Sequence, residues 1–88
     1  MNNDRRKEIA ELVKRAQELA DLMSTLKDDI ETVKSEEEEY YENMPESLQG
    51  SDRGIRAEDA IGQLDSAVYE IENTDFDTLV SSLEQAAE

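Results

Sequence analysis

Apolar side chains recur along the first half of the chain with an alternating three-four spacing: Ile9, Leu12, Ala16, Leu19, Met23, Leu26, Ile30, Val33, Glu37, Tyr40 and Met44. Ten of these eleven positions are apolar, and the pattern keeps its phase over five heptads. A sustained 3.5-residue period marks a helix that packs along one seam and supercoils with its neighbour. Asp4 is the expected N-cap, and Pro45 disfavours helical geometry at Met44, so the pattern predicts a first helix over about residues 4–43. At 1.5 Å per residue that helix is roughly 60 Å long.

Turn chemistry is concentrated in "MPESLQGSDRG", where Pro45, Gly50 and Gly54 cluster. Residues 45–51 are the expected hairpin loop, with Leu48 folding back over Tyr41 and Met44 to close the tip. Ser51 is the expected N-cap of the return helix, and Asp52 places a negative charge at the positive end of its dipole. Ala57, Ala60, Ile61, Leu64, Ala67, Val68 and Ile71 then form a helical stripe wider than a two-helix seam requires, giving a second helix over about residues 52–72. The same phase would need apolar residues near 75, 78 and 82, but these are Asp75, Thr78 and Ser82; the stripe restarts one position later at Phe76, Leu79, Val80, Leu83 and Ala87. A kink or break near residues 72–75 follows, with Thr74 as N-cap of a C-terminal arm over about 75–87. A kink within one continuing helical arm is favoured, because residues 52–87 then span roughly 54 Å and match the first helix.

The expected fold is therefore all-α: one domain over residues 1–88, an antiparallel, coiled-coil-like helical hairpin. Two helices sharing one seam leave apolar surface wet, and Val13, Ala20 and Leu22 lie just off that seam. They would be covered if two hairpins packed as a four-helix bundle, so a homodimer is expected.

Charge changes this picture from a generic hairpin to a polarised rod. The 88 residues carry a formal net charge of −15, yet residues 1–27 sum to +1 and residues 28–88 to −16, with no positive side chain after Arg56. High charge with modest hydrophobicity also suits disorder, but the unbroken periodicity argues against it. The hairpin should set Arg5, Arg6 and Lys7 beside Asp77, Glu84 and Glu88, leaving the opposite tip uncompensated. Such a surface repels nucleic acid and anionic lipid, so direct binding to either is not expected; basic protein surfaces are the natural partners.

Cysteine, histidine and tryptophan are absent, which removes disulfides, the usual zinc ligands and the common nucleophile-base pairs. There is no glycine-rich phosphate loop, and carboxylates on a narrow coiled coil lack the pocket that raises a general acid's pKa. A non-enzymatic protein without cofactors is the expectation. Calcium or magnesium binding is not expected either, since exposed helical carboxylates diverge and no EF-hand spacing occurs. No apolar stretch approaches the length that spans a bilayer, and the polar faces are acidic instead of basic, so the expected location is cytoplasmic.

The most unusual segment is "SEEEEYY", residues 35–41. Only Glu37 and Tyr40 of this run fall on the predicted seam; the remaining glutamates point outward, which suits a solvated face as well as a recognition surface. Glu37 at a core position should mark either a splayed end or the entry point of a partner. The candidate partner-binding set is Asp28, Asp29, Glu31, Glu36, Glu37, Glu38, Glu39, Tyr40, Tyr41, Glu42, Glu46 and Leu48.

The stretch "EEEEYYENMPESLQGSDRGIRAEDAIGQLDSAVYEIE", roughly the middle 40% of the chain, resembles a group of short uncharacterised acidic helical proteins of phages and other mobile elements. The likeness is carried by Tyr41, Asn43, Met44, Pro45, Glu46, Ser47, Leu48, Gln49, Ser51, Arg53, Gly54, Ala57 and Ile61, and the chain departs from that pattern at the phase slip around Thr74. The resemblance implies phage provenance, hence action in a host cytoplasm, and no particular chemistry. Together with the acidity it suggests an inhibitor of a host defence or nucleic-acid-processing protein, acting by DNA mimicry or through an acidic and aromatic contact patch. The alternatives are a structural or assembly coiled coil with no inhibitory target, and acidity that serves solubility alone.

Overall fold

Asn2, not Asp4, opens the first helix: its side-chain Oδ1 accepts a hydrogen bond from the Arg5 N–H at 2.8 Å, satisfying one of the free amides of the first turn. Asp4 lies inside that turn, where its charge complements the dipole. The computed structural model describes residues 2–88; Met1, included in the expected single domain, lies outside the described residues. The elements are α1 (Asn3–Glu42), α2 (Glu46–Gln49), α3 (Asp52–Glu72) and α4 (Phe76–Ala86), with no strand among the described residues. Helices α3 and α4 both fold back onto α1, giving an all-helical rod of 69 × 15 × 13 Å.

Three cross-helix bonds define the antiparallel register. Lys27 Nζ lies 3.2 Å from Glu72, Lys34 Nζ 2.8 Å from Asp65, and the Tyr41 hydroxyl donates to Glu58. Each step is seven residues forward on α1 and seven back on α3, so the pairs repeat once per heptad along one flank of the seam.

That register corrects the predicted seam. The inward-facing line of α1 runs through Ile9, Val13, Ala16, Ala20, Met23, Lys27, Ile30, Lys34, Glu37, Tyr41 and Met44, all buried or half-buried. Every second position agrees with expectation, but Leu12, Leu19, Leu26, Val33 and Tyr40 are displaced outward and stay between 43% and 53% exposed. Hydrophobicity alone favours those five; the pairing of Lys27, Lys34 and Tyr41 with α3 carboxylates selects the neighbouring line.

The core is thin. Among the described residues Ala16, Met44, Ala57 and Val68 are the buried apolar ones, with Ala57 at 2% exposure, and no large side chain is fully buried. Alanines on facing helices let the backbones approach closely but bury little area, so the hairpin gains modest hydrophobic stabilisation for its length.

The tip accounts physically for the turn motif. Pro45 begins the single turn of α2, accepting from the Leu48 N–H at 2.8 Å. The Gln49 side-chain amide donates back to the Tyr41 carbonyl, in the last turn of α1, at 3.3 Å and to the Met44 carbonyl, just beyond it, at 3.2 Å, supplementing the bond that Tyr41 already accepts from the Met44 N–H. Ser51 is the N-cap residue of α3 by position, but its hydroxyl donates backwards to the Leu48 carbonyl and leaves the first α3 amides uncapped by side chain. Buried Gly54 lies so close to the Gln49 carbonyl that a Cβ there would come within 2.7 Å of Gln49 Cα. Met44, rather than Leu48, plugs the tip; Leu48 remains 42% exposed.

At the other end, the return arm breaks instead of kinking. Helix α3 stops at Glu72, Asn73 is its C-cap, and α4 starts at Phe76. The N-cap is Asp75, not Thr74: its carboxylate accepts from the Thr78 N–H at 2.9 Å and the Thr78 hydroxyl at 2.6 Å, while Thr74 bonds back to the Glu70 carbonyl. The non-helical residues absorb the phase slip, and Phe76, Val80, Leu83 and Ala87 return to α1 as the half-buried face. The Arg6 guanidinium donates to the Ala87 carbonyl at 3.1 Å, so it meets main chain at the end of α4 and not a carboxylate.

Candidate functional site

The candidate residues occupy the last four turns of α1 and the α2 tip, and the fold sorts them into three groups. Asp28, Glu31, Glu36 and Glu39 line one shallow groove on the outer surface of α1 together with Thr32 and Ser35. Asp29, Glu42 and Glu46 are also exposed, on neighbouring faces. These carboxylates are brought together by helical spacing alone.

Glu38 forms the second group together with Glu31, which also lines the groove, because both are held by intrahelical ion pairs. Lys27 reaches Glu31 at 3.9 Å and Lys34 reaches Glu38 at 3.7 Å, each four residues on. Both lysines are already engaged with α3, at 3.2 and 2.8 Å, so the tip carboxylates share cations that the hairpin also uses. The hydrogen bond it donates to Glu72, and then the Glu72 charge, hold the Lys27 ammonium above its ordinary value of 10.5; for Lys34 the leading cause is the bond to Asp65.

The third group divides the two tyrosines. Tyr41 is half-buried against α3, and its bond to Glu58 pushes its hydroxyl above the usual 10.0. Tyr40 faces outward on the line shared with Leu26 and Val33. A single aromatic patch of Tyr40, Tyr41 and Leu48 does not form: one ring seals the hairpin and the other continues an apolar line away from it. Glu37 is half-buried on the inner face of α1.

Among the described residues, no group of carboxylates converges tightly enough to hold a metal ion. No described helix is long and apolar enough to cross a membrane. What the site can do chemically is present negative charge along one edge of an elongated rod.

Two features escaped sequence reasoning. The outward line Leu12, Leu19, Leu26, Val33 and Tyr40 is visible as periodicity, which by itself places it on the hairpin seam; the signal that the internal seam runs elsewhere lies in Lys27 and Lys34 on the adjacent line. Gln49 as a helix cap carried no local signal, because its partners lie eight and five residues earlier. Comparison with family models, curated proteins and solved structures finds no match to this chain.

Proposed function

We propose that the chain is a non-catalytic, acidic protein-binding module that occupies a basic surface on a nucleic-acid-processing or defence protein of a phage host, acting in the cytoplasm as a homodimer of hairpins packed as a four-helix bundle. The observation that carries this reading is the outer face of α1, where Asp28, Glu31, Glu36 and Glu39 line one groove, while the nearby Lys27 and Lys34 bond most closely to α3 and only Glu31 of the four shares one of them. A dimer carries −30 on a 69 Å rod, about one net charge per 2.3 Å, against one per ~1.7 Å of B-DNA. That density supports mimicry of a phosphate backbone over a contact patch, as does the diversion of Tyr41 into the hairpin. The turn's likeness to phage proteins supports the provenance. The second reading, an assembly coiled coil without an inhibitory target, is favoured by the exposed apolar line of α1.

Affinity capture from a host extract at low salt, followed by competition with duplex DNA, tests the proposal. A retained basic protein that is released by DNA and by raised salt, and is not captured when Asp28 is replaced by Asn and Glu31, Glu36 and Glu39 by Gln, is the expected result. Retention of nothing basic ends the mimic reading and leaves the assembly role.

A further inference from the structure

The two flanks of the hairpin are chemically unlike. One is closed by the heptad-spaced bonds of Lys27, Lys34 and Tyr41 to Glu72, Asp65 and Glu58. On the other stand Leu12, Leu19, Leu26, Val33 and Tyr40, also seven residues apart, each about half exposed. Beside them on α3 are Ala60 and Ala67, two residues beyond Glu58 and Asp65 and so about 200° round the helix from the polar bridges. Leu22, 67% exposed and one turn before Leu26, widens the strip at its centre. An apolar line of this regularity facing water is a coiled-coil seam without its partner helix.

The geometry points to a second copy of this chain as the occupant, its α1 laid antiparallel along the same line, with Leu26 beside the two-fold axis and Leu12 opposite the partner's Tyr40. This deepens the homodimer proposed above and rests on it, adding which face, which orientation and which register. Area is the first support. A compact monomer of 10.0 kDa exposes about 5,200 Å² on the usual scaling, whereas this chain exposes 6696 Å². The excess, on the order of 1,500 Å², exceeds the roughly 800 Å² per partner that a stable interface removes.

Charge selects the orientation. The end of the rod built from residues 1–27 and 73–88 sums to −3 and the remainder, residues 28–72, to −12, so a parallel pair would lay one glutamate run against the other. Reversal sets the weakly charged half against the partner's strongly acidic half and brings Arg15, on the outer edge of the line, beside the partner's Glu36. Five positions at equal steps also map onto themselves when reversed, as a closed two-fold interface requires. A basic helix of another protein would suit the acidic half, from Asp28 onward, far better than the other; the line begins at Leu12, in the half with little surplus negative charge.

Sedimentation equilibrium on the full chain, joined to spin-label distances from a Lys14→Cys variant, tests this. Lys14 is exposed and off the line, and the chain has no other cysteine. The expected result is a dimer at micromolar concentration with labels separated by about 36 Å along the axis, set by the distance of residue 14 from residue 26 on each copy. Leu26→Glu should yield a monomer that keeps its helical circular dichroism; if that variant unfolds, the label distance in the unaltered line still decides. A dimer with labels within about 20 Å overturns the orientation and spares the homodimer, whereas a monomer at 100-fold higher concentration, or a dimer indifferent to Leu26→Glu with helicity retained, overturns both the face and its occupant.

Discussion

Gly54 shows how a single position fixes the hairpin tip. Its backbone is ordinary α-helix, with no positive φ, so the glycine is not needed for conformational freedom. It is needed for space, because α3 starts directly against the Gln49 carbonyl, and the obstruction is backbone that cannot rotate aside. Gly54→Ala should therefore cost about 1–3 kcal/mol, the range for forcing extra volume into a packed site. Gly62→Ala, where a Cβ meets open space, should instead stabilise α3 by the usual helix-propensity difference of up to ~1 kcal/mol. Urea denaturation of both variants checks the contrast, and equal effects at the two positions would remove the close approach as the explanation. The turn motif thus belongs to architecture: Met44 plugs the tip, Gln49 caps α1, and Gly54 admits α3.

At the scale of elements, α4 is the part held by the fewest specific bonds: the Asp75 cap at its start and the Arg6 donation to Ala87 at its end. The Thr78 hydroxyl and then the Thr78 N–H hold the Asp75 carboxyl below its usual 3.8. A group whose folded pKa is depressed contributes stability that is fully present above the unfolded value and is lost as pH falls through the folded one. Amide protection in α4 should accordingly decline below about pH 3.8, and Asp75→Asn, which keeps a good cap that does not titrate, should flatten the decline relative to the native chain. Hydrogen exchange across that window decides, and identical curves for the two proteins would show that the cap does not govern α4. The same elements show what was legible in the sequence. The helical period of α1 and the α3 start just after Ser51 are local patterns that produced the elements they implied, and the phase slip near Thr74 marked the right place but produced a break capped by Asp75 instead of the favoured kink. Which of two adjacent lines on α1 faces inward is a tertiary choice, decided by Glu58, Asp65 and Glu72 on another helix. For the same reason the exposure of Glu36 and Glu39 was legible in the sequence, while the half-burial of Glu38 and the separate fates of Tyr40 and Tyr41 were not.

For the whole molecule, net charge and thinness act together. Carboxylates outnumber cations by 24 to 9, and the rod is only 13–15 Å across, so nearly every charge lies near the surface and near another of its own sign. The attractive side is small: the ion pairs among the described residues all involve two lysines, Lys27 and Lys34. At 10 mM salt the screening length is about 30 Å and repulsion acts across the full width of the rod; at 0.1 M it is about 10 Å and only near neighbours count. Salt weakens the few pairs and the many repulsions alike, and the repulsions are more numerous, so their relief should dominate. Raising salt from 10 to 150 mM should therefore increase the melting temperature, on the order of 5 °C if about 1 kcal/mol of repulsion is relieved. The measurement belongs first on Leu26→Glu at low concentration, where any contribution of self-association is absent, and then on the native chain. A fall in melting temperature with salt in the isolated hairpin would mean that the Lys27 and Lys34 bridges outweigh the net charge. The acidic face would then be an internally balanced surface, and its offer of uncompensated charge to a basic partner would lose its physical basis.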